Sequence, residues 1–492
     1  MKLLKIFPQY YPRQFVLIFL TVFATAVLSI AFSIAPVCFI TAFVVASILM
    51  FLLVKPAWIS YCFVIIMNLG YFMIHNGFFG NTSTFMLPDY YLLFIPVVWF
   101  FSRLIGISKK YAGTPVDLPI LAFLCLASLS LLWTHDYENG NVQLLKLFVS
   151  LFGAFIIAMS TLTSEKAIRK LFWILFIIGI INSVLCFFSI YTYPSYQGGD
   201  IFDIGHSTIH LIFNDTLMVK NRGHAFSHPL TTATWINMVL FISVALFLTT
   251  SSKKGRFFIG LAMLFMLCAL MTTMSKGPVI AMFCAFVLML YFIRPLRDKI
   301  FSSVAVLIVS IILAFIIGNG YNLINLSNVT GHQLSSNDSY SSTASRLKWW
   351  KCSWEKGISP PGIGVGVGGL KQYLIKNAPH PHNTYISVFG ELGVLGLALF
   401  LLICFIAFKT YLTALRRCGN EYFRRILLAY LAGYISLLLC ILLNYDYTVA
   451  STWWYIGLGF VLVKISNDLP PDFHEEFLPY HEKGRTMVAD SF

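Results

Sequence analysis

Charge is scarce in this chain, and its scarcity excludes more than any motif does. Asp, Glu, Lys and Arg make up only 11% of the 492 residues while 58% are hydrophobic, a balance that rules out an ordinary soluble domain. Acidic side chains are nearly absent from the apolar runs and no internal repeat is visible. Both argue against a transporter or flippase, which would show paired halves, interrupted spans and ionisable residues within them. No small-residue cleavage site follows Lys2, Lys5 and the first apolar run, so that run is expected to stay as an uncleaved span. Of the ten cysteines only Cys352 falls in a large outer loop, which leaves no disulfide framework.

What remains is long hydrophobic stretches. A hydrocarbon core about 30 Å thick takes about 20 apolar residues per helical span. Fourteen runs meet or nearly meet that length, near 15–33, 37–54, 57–75, 84–104, 118–134, 143–161, 171–190, 231–250, 257–274, 277–293, 300–317, 384–408, 426–443 and 447–464. The expected fold is an all-α polytopic membrane protein of about 14 transmembrane helices, with a large, partly helical outer loop before the twelfth span. Lys and Arg in short loops stay cytoplasmic, and with the N-terminus inside, the basic clusters at Lys109 and Lys110, Lys166 to Lys170, Lys253 to Arg256, Arg294 to Lys299 and Arg416 to Arg425 all fall on that side. The C-terminus then returns to the cytoplasm. The formal charge of +14 reads as topology plus affinity for anionic membrane lipids, and nucleic acid is not implied. The chain divides into spans 1–7 (residues 1–190), a first outer loop (191–230), spans 8–11 (231–317), a large outer loop (318–383), spans 12–14 (384–465) and a Pro-rich, acidic cytoplasmic tail (466–492).

Polar chemistry gathers in the two long loops, where long connections are often functional. Nine of eleven histidines map outside, and seven of those lie in these loops. The larger loop carries Arg346, Lys348, Lys351, Lys356, Lys371 and Lys376 against Asp338 and Glu355, a local excess of +4 that suits an anionic ligand. Long translocated segments also escape the positive-inside bias, so the charge alone leaves both readings open. In STASRLKWWKCSWEKG, Leu347, Trp350 and Trp354 fall on one helical face, as in an amphipathic helix at a membrane surface, with Arg346 beside them. The following GIGVGVGG, residues 362–369, has neither the strand nor the surrounding unit of a dinucleotide site and reads as a turn in which backbone approaches something closely.

Lys220 and Arg222 stand just ahead of the eighth span, where a cation needs a cavity, a partner or lipid phosphate. Lys276, at the junction of the ninth and tenth spans, is equally consistent with a ligand contact and with a lysine snorkelling from a hairpin turn. His206/His210 and His224/His228 have i, i+4 spacing but no intervening Glu, and Gly, Pro and Ser dilute any helix, so no metal or other cofactor is expected. His382 is the leading candidate. An imidazole fixed within hydrogen-bond reach can take a proton from a hydroxyl, Pro379 and Pro381 stiffen its approach, and Asn383 is placed to cap the next helix or orient a ligand. His380 could serve in its stead, and from the residues alone a capping or packing histidine is as open as a base.

The block ASRLKWWKCSWEKGISPPGIGVGVGGLKQY followed by HNTYISVFGELGVLGLALF resembles the hallmark region of the O-antigen ligase and O-antigen polymerase superfamily of bacterial envelope enzymes. The resemblance rests on Arg346, Pro361, Gly364, Gly366, His382, Asn383, Glu391, Gly393 and Gly396, about 70 residues in extent. It implies an enzyme of the bacterial inner membrane whose active site faces the periplasm. Such an enzyme moves a glycan from undecaprenyl diphosphate to an acceptor hydroxyl, without metal or nucleotide. It also implies His382 as the group acting on that hydroxyl, with Arg346 and Arg222 holding the diphosphate. Lys220, Lys276, Lys348, His380 and Asn383 fall to substrate binding. Where the family often has arginine in a Ser-Arg-Gly turn this chain has Lys276, a point charge with no bidentate fork. The acceptor is either another lipid-linked glycan, as in a polymerase, or lipid A core or a protein, as in a ligase; fourteen spans and Lys276 lean toward the polymerase.

Overall fold

The computed structural model describes residues 56–69, 73–75, 84–86, 113–191, 208–213, 216–221, 229–292, 343–359, 361–374, 380–443 and 447–470. Its helices are α1 (Ala57–Leu69), α2 (Asp117–Ser130), α3 (Tyr137–Val149), which runs through a π-helical turn (Ser150–Ile156) into α4 (Ile157–Thr161), α5 (Glu165–Tyr191), α6 (Pro229–Thr249), α7 (Lys253–Thr272), α8 (Lys276–Phe292), α9 (Thr343–Ile358), α10 (Thr384–Arg417), α11 (Glu421–Cys440) and α12 (Ala450–Asp468). Among the described residues, six stretches are long and apolar enough to cross a membrane: Tyr137–Thr161, Glu165–Ser189, Pro229–Thr249, Lys253–Thr272, Thr384–Arg417 and Glu421–Cys440. Shorter apolar helices occupy Ala57–Met67, Asp117–Ser130 and Lys276–Phe292. This is a multi-pass helical membrane protein, and α9 is the helix expected in the large outer loop. The runs at 15–33, 37–54 and 300–317, nearly all of 84–104, and the tail beyond residue 470 lie outside the described residues.

Two departures from an all-helical chain appear. The third run, expected to continue as far as residue 75, is helical over Ala57–Leu69 and also holds β1 (Met73–His75), which pairs antiparallel with β2 (Thr84–Met86). In the first long loop, β3 (Thr208–Phe213) pairs antiparallel with β4 (Thr216–Asn221), Thr208 opposite Asn221 and Phe213 opposite Thr216. The segments TIHLIF and TLMVKN are rich in Ile, Leu, Val and Thr and are separated by Asn214-Asp215, residue types that favour a tight connection. His210 therefore lies in a strand, where the helical spacing to His206 does not apply.

The core forms around α6, whose side chains are buried on every face from Pro229 to Leu246. A helix apolar all round must be surrounded, and α5, α7, α8 and α11 surround this one. Small residues allow the close approaches: a Cβ on Gly433 of α11 would stand 2.9 Å from Phe241 Cβ of α6. Buried tyrosines tie helices together through backbone carbonyls, Tyr434 donating to Cys404 at 3.0 Å and Tyr411 to Ile456 at 2.6 Å. With no water to satisfy them, such hydroxyls need partners within the protein.

Candidate functional site

Asn383 begins the site. Its backbone is extended and its side chain accepts from Ile386 N at 3.1 Å, an N-cap that fixes where α10 starts. Ser387 Oγ donates to the Asn383 carbonyl at 2.8 Å. The preceding residue, His382, has φ of +53°, a left-handed conformation that non-glycine residues seldom adopt. Its ring stands 4.5 Å from His380, edge to face, and 5.7 Å from Trp349 of α9, centroid to centroid. Trp350 Nε1 donates to the carbonyl of Pro381 at 2.9 Å. Two consecutive tryptophans of α9 thus hold the His380–Asn383 segment, one by ring contact and one by hydrogen bond. Trp350 accordingly leaves the apolar stripe expected for it and turns toward the site.

Arg346 lies one turn earlier on α9 than Trp349 and Trp350. It is half-buried, and Nη1 donates to the Leu443 carbonyl at 3.4 Å. Among the described residues no carboxylate forms an ion pair with it. Burial pushes the guanidinium pKa below its usual value, but the group starts so high that it remains a cation. A half-buried cation with only a carbonyl dipole for company favours an anionic ligand.

The turn after α11 brings the parts together. The Ile441 carbonyl accepts from Thr384 N at 2.9 Å, and the Leu443 carbonyl accepts from Arg346. Leu443 also packs on Gly277, where an added Cβ would meet its Cδ1 at 2.8 Å. Gly277 follows Lys276, the exposed first residue of α8. One short turn therefore contacts the backbone that carries His382, the guanidinium of Arg346 and the start of the helix that carries Lys276. Lys348, two residues beyond Arg346 and roughly 200° around the helix, is exposed away from this meeting point. Lys220 belongs to β4, and Arg222 lies outside the described residues.

The glycine turn is a backbone clamp, as its sequence suggests. Gly393, with φ of +66° and ψ of −161°, breaks α10, and the groups freed by the break are taken up by residues 362–366. Val365 N donates to Gly390 O at 3.0 Å, Gly366 N to Glu391 O at 2.9 Å, and Val394 N to Gly362 O at 3.2 Å. The far side of the turn hooks onto the α2–α3 connection: Ser130 Oγ accepts from Val367 N at 2.9 Å, and Asn139 Nδ2 donates to Gly368 O at 2.7 Å. A Cβ on Gly366 would stand 2.7 Å from the Ser130 carbonyl, so no larger residue fits without movement.

Two further features add to the site. Glu391, in the first part of α10, accepts from Tyr447 Oη at 2.6 Å. The Ile441 and Leu443 carbonyls take part directly, and Thr448 O accepts from Ser150 Oγ at 2.7 Å. Glu391 is legible from sequence both as a carboxylate within an apolar helix and as one of the residues of the family pattern. Carbonyls leave no such signal.

Residues 261–401 match the family model described as O-Antigen ligase. That range takes in Lys276, Arg346, Lys348, the glycine turn, His380, His382 and Asn383, and leaves out Lys220 and Arg222. A protein of Rickettsia typhi, named as a candidate polysaccharide ligase, is 24% identical over 382 residues, covering 72% of this chain and 80% of that protein. Both findings support the O-antigen ligase and polymerase superfamily, and with it a polysaccharide ligase or polymerase role.

Proposed function

We propose, with the O-antigen ligase match over residues 261–401 as the premise, that this protein transfers a glycan from undecaprenyl diphosphate to an acceptor hydroxyl at the periplasmic face of the bacterial inner membrane. The observation that carries the reading is the convergence of Arg346, the His382–Asn383 helix start and the Lys276–Gly277 helix start on the Ile441–Leu443 turn. Transfer from a lipid diphosphate needs cations at the departing phosphate and a base at the attacking oxygen, and this arrangement offers both.

In the proposed step the acceptor oxygen bonds to the anomeric carbon of the donor sugar. His382 takes the hydroxyl proton, and the bond from that carbon to the diphosphate oxygen breaks, its electron pair leaving with undecaprenyl diphosphate. Arg346, Arg222 and Lys276 stabilise the charge that develops there. Asn383 fixes the helix start that presents His382, and His380 packs on the imidazole from the other side. Lys220 and Lys348 supply peripheral positive charge toward an anionic substrate. The large loop containing α9 and the glycine turn is the catalytic loop, facing the periplasm before the twelfth of fourteen spans, with both termini cytoplasmic.

The acceptor separates two versions of the reaction. Fourteen spans and the lysine at position 276 favour a polymerase, whose acceptor is a second lipid-linked glycan; the names of the matched family and relative favour a ligase, whose acceptor is lipid A core or a protein. Purified protein supplied with undecaprenyl-diphosphate-linked repeat units, with and without lipid A core, decides between them. A ladder formed without core identifies a polymerase, and product formed only with core identifies a ligase. His382→Ala abolishes either product on this reading; turnover at the wild-type rate in that variant removes His382 from the mechanism.

A further inference from the structure

We infer that Asn237, buried in α6, is a positioning residue that sets Lys276 against Arg346 and His382; the inference rests on the reading of that site given above. Asn237 is 1% exposed. Its Nδ2 lies 3.1 Å from the Pro278 carbonyl, 2.7 Å from Ser436 Oγ and 3.5 Å from Cys440 Sγ. The Pro278 carbonyl can only accept, which fixes the orientation of the amide with nitrogen toward it. Pro278 stands two residues after Lys276 in the first turn of α8, and Cys440 is the last residue of α11, immediately before the turn that receives Arg346 and Thr384 N. One side chain thus joins the helix start that carries a candidate phosphate-binding lysine to the helix end that holds the candidate arginine and the backbone beside the histidine.

Thr232 and Thr234 are also buried on this part of α6, but Thr234 Oγ1 donates to the Leu230 carbonyl of its own helix at 3.0 Å, whereas the Asn237 amide reaches both neighbouring helices. Apolar burial is not itself directional, so the register of α8 and α11 against α6 rests on side-chain packing and on polar contacts such as this one. An amide that must meet a carbonyl on one helix and a hydroxyl on the other fixes both at once. Downstream, Gly277 and Leu443 are the point at which that register is expressed. An ideal Cβ at position 277 would stand 3.1 Å from Leu443 Cβ, so a slip of one helix past the other separates or collides them.

The test uses full-length protein in detergent or nanodiscs. A Gly277→Cys/Leu443→Cys pair has its Cβ atoms close enough for a disulfide and should cross-link readily under mild oxidation, read by mass spectrometry of the linked peptide. Adding Asn237→Leu, which keeps the volume and removes the amide, should slow that cross-link severalfold. In the otherwise wild-type chain, Asn237→Leu should lower kcat for glycan transfer about tenfold with a smaller change in donor KM. Ser243→Ala, elsewhere on α6, should change neither quantity. If Asn237→Leu does not fold, Asn237→Ser, which retains a donor, and Ser436→Ala, which removes one acceptor, should give the same effects in weaker form. An unchanged cross-linking rate overturns the inference, as does a slowed cross-link with unchanged kcat. Should the wild-type chain show no glycan transfer with any acceptor, the proposed function falls, and the cross-linking rate alone decides whether Asn237 sets the register.

Discussion

The indole of Trp350 donates to the Pro381 carbonyl at 2.9 Å, one residue before His382, whose backbone is in the left-handed region. A conformation that side chains rarely adopt persists only where neighbours fix it, and this bond is one of the fixings. Trp350→Phe keeps an aromatic ring and deletes the donor. It should destabilise the protein by only about 1 kcal/mol, yet reduce turnover more than that loss implies, because the imidazole loses its fixed approach. Measuring kcat beside the thermal midpoint distinguishes this from general destabilisation; equal, small changes in both would show that Trp350 does not act through His382.

Among the candidate site cations in the described residues, Arg346 is the one tied by a hydrogen bond to the Ile441–Leu443 turn. Arg346→Ala should lower kcat by roughly 10², the scale expected when one charge-stabilising donor is removed. Arg346→Lys should recover part of the loss, since a lysine supplies charge without the planar fork. Transfer at near the wild-type rate by both variants would exclude Arg346 from holding the leaving group.

How far the sequence carries can be judged at single residues. The described helices other than α9 lie where long apolar runs occur, because in lipid a backbone has few other ways to satisfy its polar groups. Asn383 was legible as a cap and Gly364–Gly366 as a close approach, since cap chemistry and positive φ restrict residue type locally. Trp350 was not, because helical spacing groups it with Leu347 and Trp354 while the partner that turns it inward, Pro381, lies in a different part of the chain. The Ile441–Leu443 turn was invisible for another reason: carbonyls do its work, and every residue has one. Asn237, a polar residue in a largely apolar run, shows its meaning only when three helices are brought together.

The break in α10 depends on glycine at position 393. Its φ of +66° and ψ of −161° belong to a region that is essentially restricted to glycine, and an added Cβ would collide with the Gly362 carbonyl. Gly393→Ala should therefore cost about 2–4 kcal/mol. Gly366→Ala should also destabilise, through contact with Ser130 and Thr134. The comparison with Gly260→Ala in α7 is informative, because its nearest neighbour would be at an ordinary 3.6 Å. Midpoints of thermal unfolding should rank the three accordingly, and a Gly393→Ala protein as stable as Gly260→Ala would contradict the clamp.

Tyr447 Oη donates to the Glu391 carboxylate of α10 at 2.6 Å. Tyr447→Phe deletes the donor to a carboxylate and should cost about 1.5–3 kcal/mol, the range for hydrogen bonds to charged groups. Glu391→Gln keeps an acceptor oxygen and should cost less. Reversal of that order would mean that the charge of Glu391, rather than its bond to Tyr447, stabilises the break.

Finally, α9 presents an outward stripe that the folded chain leaves uncovered. Leu347, Trp354 and Ile358 are 56%, 49% and 53% exposed, and their spacing of seven and four residues places them on one line. Lys348 and Lys351 are exposed beside them, with Glu355 3.9 Å from Lys351. Apolar residues with lysines alongside are what a helix at the boundary of an anionic bilayer requires. Trp354 also rests on Phe389 of α10, 4.6 Å between ring centroids, which keeps the stripe close to a membrane-crossing helix. Spin labels on Leu347→Cys and Ile358→Cys should be relaxed by oxygen, which concentrates in lipid, whereas a label on Lys348→Cys should be relaxed by a water-soluble nickel chelate. If labels at 347 and 358 are reached chiefly by the chelate, α9 stands in water and the stripe must be assigned another partner; if they are shielded as expected, the helix that carries Arg346 is held at the bilayer surface, the level at which a lipid-linked diphosphate would arrive.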